Sequence, residues 1–475
     1  MKLRNRFGLL SLIVLLAVFN PAIANSRRPD ILFIVTDDQR PDTIAALGNP
    51  MIRTPNLDRL VASGTAFTQA YAGYPICHVS RAEMLTGCIS FRALPQYPAG
   101  AIDPALKTLA QTFNAAGYLT WFTGKWHNDG QPKQRGYTGT RGLYSSGGVP
   151  KDRQTQVIDD RGNPLTGYRG WTFKTDDGKP ELEKGVGLQS DNSLHVANGA
   201  IQAIRDSDAD KPILLHVNFA FPHDPRQWPP DPLHRYDPSR ISLPANFAPN
   251  HPFDHGNVNG RDELLLPTPR TEMAVRMELA IYYAMITDLD AQIGRIVSAL
   301  DDAGRKNTVI IFTSDQGLAM GSHGLLGKQN QYQHSIRSPL LIAGPGLPTG
   351  RQCDALVSLR DLFPTLCDLA AIPIPNTVQG LSLSNLIHGK STSVHDFVMG
   401  AFTDTQRMIR DARWKLIEYP KADRVQLFDL LTDPDERIDL GQREDTREIR
   451  EKLRTQLHDW SRENGDPMFR FKKEK

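Results

Sequence analysis

Residues 31–38 read ILFIVTDD: six apolar or β-branched positions followed by two adjacent acids. The run has the length and composition of a buried strand, and Asp37-Asp38 falls where its carboxyl end should lie. The same figure recurs along the chain. YLTWFTG (118–124) leads to Lys125 and His127, ILLHVNFAF (213–221) leads through one proline to His223-Asp224, and TVIIFTS (308–314) leads to Asp315-Gln316. PLLIAGPG (339–346) is a further strand. Helical patterns lie between these runs: TPNLDRLVASG ending at Gly64, LKTLAQTFNAAG ending at Gly117, SLHVANGAIQAIRD, and a long one from Glu272 to Ala303 that stops at Gly304. Strand alternating with helix predicts an α/β fold with a large mixed, mainly parallel sheet flanked by helices. Beyond Pro375 the pattern changes. MIRDARWKLIEYP and VQLFDLLTDPDERIDL suggest a small antiparallel sheet, and 447–464 a closing helix. The expected organisation is a main α/β domain over 25–375 and a C-terminal α+β subdomain over 376–475.

The chain has 475 residues, 40% hydrophobic and 23% charged, which is ordinary globular composition for one large core plus a smaller unit. A formal net charge of +2 implies no general polyanion-binding surface, and no nucleic-acid partner is expected. The N-terminus joins a basic start (Lys2, Arg4, Arg6) to an apolar run from Phe7 to Phe19 and a small-x-small site at Ala22-Ile23-Ala24. This predicts a secretory signal peptide over 1–24 and an exported protein, periplasmic or secreted. The run is too short to span a bilayer comfortably, so stable membrane insertion is not expected. Export permits disulfides, yet there are only four cysteines: Cys77, Cys88, Cys353 and Cys367. Cys353 and Cys367 could pair, but Cys367 lies in a helical pattern and reads more readily as core.

Four strands deliver acids, amides, histidines or lysines at their carboxyl ends, the edge at which open α/β sheets bind ligands. Any one pair is ordinary turn chemistry; four together point to a shared site. Asp37, Asp38 and Asp315 offer carboxylate oxygens and Gln316 an amide oxygen, a donor set suited to calcium or magnesium. Lys125, His127, His223 and Lys328, the last in the glycine-rich GSHGLLGKQN, supply positive groups able to hold an oxyanion such as sulfate or phosphate. Taken singly, each of these also reads as surface charge or a satisfied core histidine. The stretch 74–87, YPICHVSRAEMLTG, suggests a helix with Ser80 as N-cap and Glu83 closing a capping box. Cys77 would then lie just before a helix N-terminus, where a thiol is more acidic. Arg81 would sit in the first turn. Two loop-rich regions, 130–187 and 222–269, are placed to cover the strand ends. In the second, HDPRQWPP brings Arg226 and Trp228, either to hold an acidic group and stack on a sugar or simply to pack the loop.

CHVSRAEMLTG resembles the C-x-P-S-R-x-x-x-L-T-G signature of the type I sulfatases, the formylglycine-dependent branch of the alkaline phosphatase superfamily. The resemblance extends over nearly the whole mature chain, through DILFIVTDDQRPD, TPNLDRLVASGTAFTQAY, TGKWH, PHDP, SDQGLAMGSHGLLGK and RWKLIEYP…QLFDLLTDPDERIDL. It implies that a maturation enzyme oxidises Cys77 to formylglycine, whose hydrate is the nucleophile. It also implies a calcium ion bound by Asp37, Asp38, Asp315, residue 77 and Gln316, the last standing where Asn or His is usual. Arg81, with Ser80 beside it, would stabilise the hydrate. Lys125, His127, His223 and Lys328 would bind sulfate and move protons: His223 or Lys328 to the leaving alcohol, His127 from the second hydroxyl. The implied substrate is a sulfated carbohydrate or another sulfate ester. Val79 replaces the usual proline or alanine of the signature, which bears on maturation. Two other readings share the motif: a phosphodiesterase or phosphonate hydrolase on the same scaffold, and a non-catalytic relative that keeps Cys77 as a thiol.

Overall fold

The computed structural model describes residues 28–155 and 166–469. The expected signal peptide lies outside them. Among the described residues the main sheet has ten strands: β1 (Asp30–Thr36), β2 (Gly64–Tyr71), β3 (Leu119–Lys125), β4 (Gly139–Ser146), β5 (Trp171–Lys174), β6 (Ile213–Asn218), β7 (Thr308–Ser314), β8 (Arg337–Ala343), β9 (Arg351–Cys353) and β10 (Val357–Ser358). Their order is β10-β2-β8-β7-β1-β6-β3-β4-β5, with β9 also paired to β2. The central run β7-β1-β6-β3-β4 is parallel, while β8 lies antiparallel to β7 and β2, and β5 antiparallel to β4. The sheet is thus mixed and mainly parallel.

All seven residues of β1 are buried because helices cover both faces. Side chains alternate across the pleat. Leu32 and Ile34 join the core beneath the helices Asn192–Arg205 and Glu272–Asp302, whereas Ile31, Phe33 and Val35 join the core beneath Leu109–Ala115 and Leu362–Leu369. No described helix is long and apolar enough to cross a membrane.

A second, antiparallel sheet follows: β11 (Val398–Phe402), β12 (Gln406–Arg410), β13 (Trp414–Tyr419) and β14 (Arg424–Asp429) in that order. The helix Arg447–Glu463 packs Leu453 and Leu457 against Met399, Ile409, Leu416 and Leu427 of this sheet. All four cysteines are free and buried, so Cys353 and Cys367 are core residues without a bridge.

Candidate active site

β7, β1, β6 and β3 are consecutive neighbours running the same way, so their carboxyl ends open at one edge of the sheet. Asp37 and Asp38 follow β1 there. Asp38 has φ of 67°, a left-handed turn that Asp tolerates better than bulkier residues. β3 reaches the site through a bulge at Gly124, with φ of 84°. A Cβ on Gly124 would lie 1.9 Å from the Asn218 carbonyl oxygen, so only glycine lets β3 approach β6 this closely just before Lys125.

The helix carrying the cysteine spans Cys77–Thr86, and every residue of it except His78 is buried. It starts four residues earlier than the capping-box reading places it. Ile76, extended and without a side-chain cap, precedes the first turn, and its carbonyl accepts from the amides of Val79 and Ser80. Ser80 is therefore inside the helix, and its hydroxyl donates to the Asp315 carbonyl oxygen (2.6 Å). Glu83 accepts from the Ser90 amide (2.7 Å) instead of closing a box. Tertiary partners have replaced local ones because both side chains are enclosed. Cys77 and Arg81, four residues apart, share one helix face.

The expected residues converge. One ligand atom from each of Asp37, Asp38, Cys77 and Asp315 falls within 4.8 Å of the others, all four residues buried. Cys77 Sγ is 3.0 Å from Asp37 Oδ1. Lys125 contacts Asp37 Oδ2, Lys328 Nζ bonds both Asp38 oxygens (2.9 and 2.8 Å), and Arg81 Nε bonds Asp315 Oδ2 (2.9 Å). Lys328 Nζ also lies 3.2 Å from Cys77 Sγ. His223 Nε2 is 3.7 Å from Asp38 Oδ2, and its Nδ1 faces the Asp224 carbonyl oxygen at 2.7 Å. A carbonyl only accepts, so Nδ1 carries the hydrogen and Nε2 presents its lone pair to the site. His127 is half-buried, edge-on to Trp171 (5.2 Å between centroids), and its Nδ1 has no partner.

Burial governs the protonation of this cluster. Burial lifts Asp38 to about 7, Lys328 opposing and the charges of Asp37 and Asp315 adding to the rise. Asp315 is raised too, by burial and by Asp37. For Asp37 burial also acts upward, but Lys125, His223, Arg81 and Lys328 together hold it well below the ordinary carboxylate range. Burial lowers His223 to about 4 and pushes His127 well down. The Cys77 thiol is not made acidic by its helix: burial, with Asp315 and Asp37, pushes it well above the ordinary thiol value. The raising charges sit beside the sulfur and outweigh the partial charge of a helix end.

Two stranded groups in the cluster match a cation and an anion. Gln316 donates Nε2 to Asp38 Oδ1 (2.6 Å) and towards Cys77 Sγ (3.2 Å), which leaves its Oε1 buried without a partner. Turning the amide over would aim that oxygen at the carboxylates, tolerable only with a cation between them. Three carboxylates and an amide oxygen suit a hard divalent ion. Arg81 Nη1 is likewise buried without a partner, a donor left over for an oxyanion.

Sequence reasoning missed Tyr168. It belongs to the first loop-rich region, just before β5, and its hydroxyl donates to Asp37 Oδ2 (2.9 Å). Nothing in TGYRGW distinguishes this tyrosine from a packing residue, although the region itself is one expected over the strand ends. For Arg226 and Trp228 the packing alternative holds. Arg226 is buried against Glu278, and Trp228 packs on the cluster around Tyr282 and Ile286 of the long helix.

Residues 29–372 match the Sulfatase family, and residues 321–463 match the family described as N-sulphoglucosamine sulphohydrolase, C-terminal. Over 459 residues the chain is 30% identical to an arylsulfatase of Clostridium perfringens (strain 13 / Type A), covering 90% of this chain and 93% of that protein. It is 25% identical over 495 residues to an N-acetylglucosamine-6-O-sulfatase of Bacteroides thetaiotaomicron, covering 88% of this chain and 83% of that one. A phosphonate monoester hydrolase of Agrobacterium radiobacter, a solved structure, superposes with a TM-score of 0.74 at 24% identity, covering 92% of this chain and 96% of that one. That last likeness concerns the fold alone.

Proposed function

We propose, because this chain belongs to the sulfatase family of sulfuric ester hydrolases, that it cleaves sulfate monoesters of a carbohydrate outside the cytoplasm. The proposal includes formylglycine made from Cys77 by a maturation enzyme, and calcium held by Asp37, Asp38, Asp315, Gln316 and residue 77. The observation that carries it is the meeting of Cys77 with three buried carboxylates and with Arg81, Lys125 and Lys328 at one sheet edge. Carbohydrate as the substrate class is supported by the relative named for N-acetylglucosamine-6-O-sulfate. Export rests on residues 1–24, and the division at Pro375 on the change of pattern there.

In this reading Cys77 Sγ marks where the oxygens of the formylglycine hydrate would lie. The hydrate supplies two hydroxyls on one carbon, and calcium supplies the positive charge that favours ionising one of them. The chain's own residues do the rest. Arg81, Lys125 and Lys328 hold the sulfate oxygens as charge builds on them. Of the two groups able to protonate the departing alcohol, Lys328 keeps its proton at neutral pH, pushed well above its ordinary value despite burial, chiefly by Asp38; His223 does not. His127, neutral and with an open Nδ1, is suited to take a proton from the second hydroxyl.

The test compares purified protein on an aryl sulfate, a sulfated glucosamine, a phosphate diester and a phosphonate monoester, with mass spectrometry of the peptide containing Cys77. Sulfate release with an aldehyde at position 77 supports the reading. Preference for the phosphorus substrates would replace it with the phosphonate-hydrolase reading. An intact thiol with no turnover would leave a non-catalytic relative, the outcome that Val79 in place of proline makes worth checking.

A further inference from the structure

We propose that Tyr168 is a positioning residue that fixes which oxygen of Asp37 faces the cation, an inference that rests on the metal site proposed above. The two oxygens of Asp37 have different surroundings. Oδ2 accepts from the Tyr168 hydroxyl (2.9 Å) and from Lys125. Oδ1 has neither of these donors and lies 3.0 Å from Cys77 Sγ. A carboxylate only accepts, so the phenol is the donor, and with Lys125 it occupies Oδ2. Asp37 is thereby left to offer a cation one oxygen, Oδ1, rather than both.

The tyrosine ring ties this choice to the rest of the site. Lys125 Nζ lies over its face, 5.1 Å from the centroid, and His223 meets it edge-on at 4.8 Å. Trp171 and Tyr144 pack the ring from behind, at 5.0 and 5.8 Å. One buried side chain therefore touches a ligand of the proposed metal site, a lysine of the oxyanion cluster and His223. It comes from the segment between β4 and β5, not from any strand end that supplies the other residues. Partners behind metal ligands commonly alter metal affinity or activity by about 10- to 100-fold when removed.

The hydroxyl and the ring can be separated experimentally. Y168F keeps the packing and removes only the donor to Asp37. With full-length protein stripped by chelator, calcium titration followed by calorimetry should show Kd raised about tenfold. In the reloaded enzyme kcat should fall by a similar factor with KM for an aryl sulfate unchanged. Y168L removes the ring as well and should raise KM in addition, because Lys125 loses its platform. In a D37N background the Y168F effect on calcium affinity should vanish, an outcome a purely structural role would not give. Calcium binding by Y168F equal to wild type, or a Y168F effect that persists undiminished in D37N, overturns the inference. A wild-type protein that binds no calcium overturns the metal site itself, and this inference with it.

Discussion

Calcium affinity should depend on pH between 6 and 8, and Asp38 is the reason. Burial lifts this carboxyl to about 7 against the charge of Lys328, with Asp37 and Asp315 adding to the rise. A calcium ion takes the ionised form, so below 7 it must displace a proton. The proton-occupied fraction at a pKa of about 7 changes the apparent affinity by about tenfold between pH 8 and pH 6, about 1.4 kcal/mol. A carboxyl with an ordinary value would be fully ionised throughout and give no change. His223, at about 4, is outside this window. Asp315, raised by burial and by Asp37, acts in the same direction and could only steepen the fall. The sign for stability follows from the same shift. A carboxyl whose folded value is raised stabilises the fold below its unfolded value and loses that contribution as pH rises through the folded one. Chelator-stripped protein should therefore lose about 1.4 kcal/mol from this group between pH 6 and pH 8, and the increment in Tm on adding calcium should grow over the same range. Calorimetric titration at pH 6, 7 and 8, in two buffers of different ionisation enthalpy, measures both Kd and the protons released. A Kd that is flat across this range, with no proton released at pH 6, would refute the reasoning.

Three further outcomes test other parts of the site. Arg81→Ala should lower kcat for an aryl sulfate by about 100- to 1,000-fold, since it removes the buried donor Nη1, with the fold retained by circular dichroism. Gly124→Ala should lower Tm: the left-handed φ alone costs about 1–2 kcal/mol, and the new Cβ would press on the Asn218 carbonyl. Its activity should fall further than its stability, because the bulge sets Lys125. Arg226→Met should leave Glu278 without its buried partner and reduce stability, while KM for sulfated sugars stays unchanged; a raised KM would return Arg226 to the substrate pocket.

The strand-end pairs were legible because four short apolar runs stop at charged or amide residues, and a parallel sheet brings such ends together. Other elements were hidden for local reasons. Gly64 reads as a helix stop, and it does end Pro55–Ser63, but it also opens β2, whose GTAFTQAY has too few large apolar residues to announce a strand. β4 and β5 lie in sequence dense with glycine and charge, and they form because β3 offers its edge to β4. The start of the Cys77 helix was misplaced because Ser80 and Glu83 have the spacing of a local cap, while their actual partners, Asp315 and Ser90, come from tertiary structure and from the next short helix. The rise of the Cys77 thiol could not be read from a helix end either, since its causes are burial and then the charges of Asp315 and Asp37, brought from strand ends.

The charges that defeat the thiol also bear on the choice between sulfate and phosphorus esters. With a divalent cation bound, Asp37, Asp38 and Asp315 all ionised would balance Arg81, Lys125 and Lys328, and the cation would leave the site positive by two. A sulfate monoester and a phosphate diester each carry one negative charge and would be attracted alike. They differ in terminal oxygens: the monoester has three, the diester two. The site has three cationic side chains around Cys77, each enclosed with little access to water. With a monoester every one of the three finds an oxygen. With a diester one ammonium or guanidinium, still paired to its carboxylate, faces an alkoxy oxygen, a weaker acceptor than a terminal oxygen. Counting donors against oxygens thus favours the sulfate monoester where counting charge does not. Removing one cation by Lys328→Met should accordingly narrow the ratio of sulfate to diester turnover; an unchanged ratio would show that the preference is set elsewhere.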